Sequence, residues 1–216
     1  MERPEDLLGE RYRLVAPAGS RGLSRVWDGY DEVLRCPVTA HLVEAPAAGD
    51  DPRSFALDLR QEVTAAAGLR HPGMIAVRDL GRTGEGHFVV CEWVDAAPAG
   101  RLSWGDVTQV AQVVLAAHRA GIVHGGIGAE TVLRDRAGAV RVADFGIATM
   151  AGRRPWPLDV PVPPFISPDR LRGAPGPQVD VSAILELMRP LTAGTPEELV
   201  GRRPTSNDLV EWLVGR

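Results

Sequence analysis

Gly121-Ile122-Val123-His124-Gly125-Gly126-Ile127-Gly128-Ala129-Glu130-Thr131-Val132-Leu133, with Val142-Ala143-Asp144-Phe145-Gly146 shortly after it, is the stretch on which the reading of this chain turns. The segment before it, about Gly105 to Ala120, carries apolar residues at helical spacing, so an amphipathic helix is expected to deliver the chain into a glycine-rich loop. Beyond Gly146 the sequence is rich in proline, through Arg153-Arg154-Pro155-Trp156-Pro157 and Pro161-Val162-Pro163-Pro164 to Ser167-Pro168-Asp169. Toward the N-terminus, Glu10 to Val15 and Ser24 to Asp28 read as strands around the turn Pro17 to Gly22, and Pro37 to Val43 as a third, together a small antiparallel sheet. Ser54 to Leu69 reads as a helix capped by Ser54 and stopped before Pro72. Ile75 to Leu80 and His87 to Trp93 read as two more strands, joined by the glycine-rich turn Gly81 to Gly86.

In their order, these segments resemble the bacterial, actinobacterial-type Ser/Thr protein kinases. His124 to Thr131 matches the catalytic loop H-R-D-x-K-x-x-N, and Asp144-Phe145-Gly146 matches the metal loop D-F-G. Arg11 to Val15 matches the R-Y-x-L-V start, Gln178 to Ala183 the opening of the long C-lobe helix with Asp180 as its acid, and Arg203-Pro204-Thr205 the R-P-T before the last helix. The resemblance covers nearly the whole chain. It implies an α+β, bilobal protein kinase-like fold, with an N-lobe of antiparallel sheet plus one helix at 1–94 and a shortened, mostly helical C-lobe at 95–216. Asp180 is expected to steady the catalytic loop.

The frame is degenerate. Gly126 stands where the family has its catalytic Asp, Gly128 at the phosphate-contacting Lys, Thr131 at the metal-binding Asn and Gly125 at the Arg of H-R-D. In the Gly-rich loop Gly19 and Val26 are kept, while Arg21 and Ser24 replace two glycines; Arg21 either obstructs a nucleotide phosphate or contacts it. His41 replaces the V-A-x-K lysine and is a shorter, usually neutral group. Glu62 matches the helix-C glutamate, read either as a solvated helix residue or as a partner of His41. The resemblance implies a vestigial nucleotide cleft of Gly19, Val26, Thr39, Glu62, Glu92, Val94, Leu133 and Asp144, with Asp144 at most holding a metal. Arg153, Arg154 and Trp156 read as an interaction surface or, for Trp156, as packing on the C-lobe.

Composition bounds the partners. The 216 residues carry a formal charge of −4, which argues against a phosphate-tracking nucleic-acid binder. All 24 basic residues are Arg, so no lysine of this chain anchors a phosphate or forms a Schiff base. Cys36 and Cys91 lack metal-ligand spacing and read as thiols of a reducing compartment. Met1 to Asp6 lacks the features of a signal peptide, and no apolar run nears the roughly 18 residues that span a bilayer; a soluble cytoplasmic protein is expected.

These readings lead to a pseudokinase that is no enzyme, working as a protein-binding scaffold or allosteric regulator of an active kinase. No cofactor is expected, ATP or ADP with Mg or Mn binding weakly if at all. Two alternatives stand beside it: a nucleotide sensor that binds without phosphoryl transfer, and a phosphorylation target modified at Thr149, Thr195 or Thr205 and read by a phosphothreonine-binding protein.

Overall fold

The structure is a computed structural model and describes residues 3–44, 51–84, 86–152, 176–191 and 204–215. The chain divides into two compact units, the first made of Met1–Arg70, Ile75–Val94 and Phe145–Ile147, the second of His71–Met74, Asp95–Asp144 and Ala148–Arg216.

The first unit is built on a six-stranded antiparallel sheet of order β1-β2-β3-β4-β6-β5, comprising β1 (Leu7–Leu8), β2 (Tyr12–Arg21), β3 (Ser24–Asp31), β4 (Cys36–Val43), β5 (Val77–Arg82) and β6 (His87–Glu92). Alternate residues of these strands face one core, where Tyr12, Leu14, Trp27, Val38, Ala40, Leu42, Phe88 and Val90 cluster, as period-two patterning requires. The first strand does not stop at Val15 as the sequence suggests. It continues to Arg21 because register shifts at Leu14/Ala16 and Pro17/Gly19 absorb a proline that cannot donate to the ladder. The expected turn at Pro17 to Gly22 shrinks to Gly22-Leu23.

Helix α1 (Pro52–Gly68) lies against β5 and buries Phe55, Leu59, Val63 and Ala66. Its cap is Asp51 rather than Ser54: the carboxylate accepts from the amides of Arg53 (3.1 Å) and Ser54 (3.2 Å). Pro52 fills the first helical position, where its missing N–H costs nothing.

The second unit carries a three-stranded antiparallel sheet of β7 (Ala96–Pro98), β8 (Val132–Asp135) and β9 (Val140–Val142). Among the described residues its helices are α2 (Trp104–Arg119), the short α3 (Ala148–Gly152), α4 (Pro177–Met188), followed by a 3-10 turn at Arg189–Leu191, and α5 (Ser206–Val214). Helix α2 packs on both α4 and α5, burying Val107, Val110, Val114 and Ala117 with Ile184, Met188 and Leu209. The chain reaches α2 from Val94 through the short strand β7 alone, with no helix over 95–103. The fold is therefore α+β, an antiparallel sheet with one helix in one unit and a mostly helical second unit.

Candidate functional site

The loop from His124 to Thr131 is held by its own polar groups. His124, fully buried, accepts at Nδ1 from the Gly126 amide (3.1 Å), so the proton sits on Nε2, which donates to the Ala143 carbonyl at 2.7 Å. The Thr131 hydroxyl donates to the carbonyl of Gly126 (2.9 Å) and accepts from the amide of Gly128 (3.0 Å). At the position expected to bind a metal, its oxygen is thus engaged in closing the loop. Beneath the loop, Asp180 of α4 is fully buried and accepts from the amides of His124 (2.8 Å) and Gly125 (2.7 Å) and from His118 Nε2 of α2 (2.9 Å). A carboxylate is an acceptor only, so all three contacts are satisfied at once. The expected steadying of the loop by Asp180 is what these bonds do.

Helix α3 closes the other side. The Thr149 hydroxyl meets the carbonyls of Val123 (2.7 Å) and His124 (3.0 Å). A Cβ added at Gly126 would lie 3.0 Å from Ala148 Cβ, and one at Gly125, where φ is +76°, 3.1 Å from Thr149 Cα. Asp144 is buried with φ +67°, and its carbonyl accepts from the Ala148 amide at 3.0 Å. Leu133 is buried in β8. Among the described residues no group of three or more His, Cys, Asp or Glu side chains comes together. The Thr131 hydroxyl, at the position expected to share a metal with Asp144, is engaged within its own loop, and a divalent cation takes several oxygen ligands.

The first unit holds the other candidates. Gly19 is exposed in β2 with φ +122° and pairs with Val26, itself buried in β3. Thr39 and His41 lie in β4; Thr39 is half-buried, and His41 is buried with its Nδ1 3.2 Å from Ser24 Oγ. Glu62 is half-buried on α1. Gly146, φ +78°, presses on that helix: an added Cβ would come 2.9 Å from the Glu62 carbonyl oxygen and 3.0 Å from Val63 Cα, and Phe145 beside it is fully buried. At the expected hinge the Glu92 amide donates to the Ala76 carbonyl (2.9 Å), Trp93 Nε1 donates to Asp28 (3.2 Å), and Val94 is half-buried. Arg153, Arg154, Trp156, Thr195 and the segments around Ser167-Pro168-Asp169 and Arg203 lie outside the described residues.

Sequence reasoning missed His118, Ser24 and Thr149 as partners of the site. Only Ser24, at a departed loop-glycine position, left a signal.

This is the architecture of a protein kinase-like domain. The chain superposes on a cysteine-to-alanine mutant of the kinase domain of Mycobacterium tuberculosis PknI with a TM-score of 0.75, over 100% of this chain and 99% of that one at 18% identity, a likeness of fold alone. In sequence it is similar to the serine/threonine-protein kinase PknL of Mycobacterium bovis, 32% identical over 203 residues, covering 87% of this chain and 50% of PknL. It is also 32% identical over 208 residues to a probable serine/threonine-protein kinase of Streptomyces coelicolor, covering 86% of this chain and 30% of that protein. No family model matches the chain. It spans about half the length, or less, of these curated relatives. The chain has a protein kinase-like fold and is similar in sequence to Ser/Thr kinases of actinobacteria.

The relatives correct the expectation of a chain that is no enzyme. They carry the names of Ser/Thr kinases, and a match to half their length does not show catalytic residues lost. No helix among the described residues is long and apolar enough to cross a membrane.

Proposed function

We propose that this kinase-like protein acts in Ser/Thr-kinase signalling by binding another protein, as a scaffold or an allosteric regulator. The observation that carries the reading is how the polar side chains around the loop are used. His124, Thr131, Asp180 and Thr149 all bond to loop backbone, while positions 126 and 128 present only glycine. What the sequence retains builds a fixed shape, and a fixed shape is what a docking surface needs.

The test is titration of the purified chain against a purified actinobacterial Ser/Thr kinase domain, followed by calorimetry and by that kinase's rate on a peptide. Association with a changed rate is expected; neither would overturn the reading. Phosphate transfer to a substrate by this chain alone, abolished by Asp144→Ala, would replace it with the activity for which the relatives are named.

A second reading, the phosphorylation target, has one observation behind it. Thr205 is exposed, its hydroxyl capping α5 at the surface, whereas Thr149 is 3% exposed. In this reading Thr205 takes the phosphate and Thr149 does not. Mass spectrometry after incubation with an active kinase checks it; phosphate on Thr149 but not Thr205 would reverse it.

A further inference from the structure

Two departures from the kinase pattern, Ser24 and His41, meet in the structure. Strands β3 and β4 pair Ser24 with Val43 and Val26 with His41, so Ser24 and His41 are diagonal neighbours on one face of the sheet. Both are buried, Ser24 at 3% exposure and His41 at 2%. Ser24 Oγ donates to the Arg21 carbonyl at 3.0 Å, across the two-residue turn that closes the β2–β3 hairpin. A hydroxyl has one proton. With that proton on Arg21, Oγ is left as the acceptor toward His41 Nδ1 at 3.2 Å, which fixes a proton on Nδ1.

We propose that Ser24 and His41 form one hydrogen-bonded latch, which ties the β2–β3 hairpin to β4 and makes this hairpin select against nucleoside polyphosphates. In protein kinases the glycines of this hairpin let its backbone cover the phosphates, and the lysine at the position of His41 pairs with the α- and β-phosphates. Here a hydroxyl fills a glycine's place and spends the donor of the imidazole that fills the lysine's place. The two changes are coupled. Glycine at 24 alone removes the hydroxyl that faces His41 Nδ1 in a buried site, and lysine at 41 alone buries an ammonium against Ser24.

The experiment is calorimetric titration with ATP, with and without Mg²⁺, of the unmodified chain, Ser24→Gly, His41→Lys and the double variant, with circular dichroism and thermal melting to confirm folding. The expected result is a gain of about 10-fold or more in ATP affinity for the double variant, exceeding the product of the single gains. A full gain from His41→Lys alone, or none in a folded double variant, overturns the proposal. The ¹⁵N shifts of the His41 ring in the unmodified chain give a test that needs no variant: the Nδ1–H form is expected, and the Nε2–H form overturns the latch. Neither result bears on protein binding, so this proposal and the proposed function fail separately.

Discussion

Asp180 is the residue on which the loop most depends. Its carboxylate takes two loop amides and His118, with no exposure to water. Asp180→Ala leaves the His124 and Gly125 amides buried without an acceptor, and should lower stability by about 2–4 kcal/mol in urea unfolding. Loss within the noise would show the loop held by other means. Thr131→Val keeps the shape but removes the hydroxyl that joins Gly126 to Gly128, and should cost about 1–2 kcal/mol by the same measurement. Gly146→Ala places a Cβ against the backbone of Glu62 and Val63 at a left-handed φ. It should cost about 1–3 kcal/mol, and an unchanged melting temperature would mean that α1 yields freely. Of these residues, Asp180 and Gly146 stood in the sequence as motif letters. The bonds of Thr131 did not, because a hydroxyl's partner depends on where the chain returns.

Elements in the second unit are joined by Asp106. It is the third residue of α2 and completes a capping box with Ser103, and it receives both Arg134 nitrogens from β8 at 3.0 Å. The Arg134 pair, then the Ser103 bonds, hold its carboxyl down at about 2 against the pull of burial. Asp31 in the first unit is likewise held to about 2, by Arg11 and then by the amides of Leu34 and Val33. The folded value lies below the unfolded one, so each contribution is present above about 3.8 and lost as pH falls through about 2. Both arginines are a third exposed, so solvent screening keeps the effect modest. Asp106→Asn should flatten the fall in stability across this acid range, read by unfolding at several pH values; an unchanged slope would mean the Asp106–Arg134 pair contributes nothing. The strands and helices themselves were largely legible, because burial imposes periods of two and of three to four on the apolar residues. Their ends were not. Asp51 takes the cap from Ser54, and β2 runs past Pro17, because caps and bulges answer to single side chains and register.

At the scale of the molecule, the permanently cationic side chains are guanidiniums alone. With 24 arginines and no lysine, an amine-reactive ester should add a single label to this chain, at its terminal amine; further labels by mass spectrometry would contradict that. By itself the sequence determined the class of fold, through an ordered series of landmarks from Gly19 to Arg203-Pro204-Thr205, each tied to a backbone position that the fold must reproduce. It also determined which side chains are missing at 126 and 128, since composition at a position needs no coordinates. Only the tertiary structure decided what the remaining groups do. His41 meets Ser24, Thr131 turns back into its loop, Thr149 is sealed against Val123 and His124, and His118 joins Asp180 from a helix 62 residues away in the chain. Hydrogen bonds between residues far apart in sequence are fixed by packing, and no local pattern of letters encodes which of them will meet.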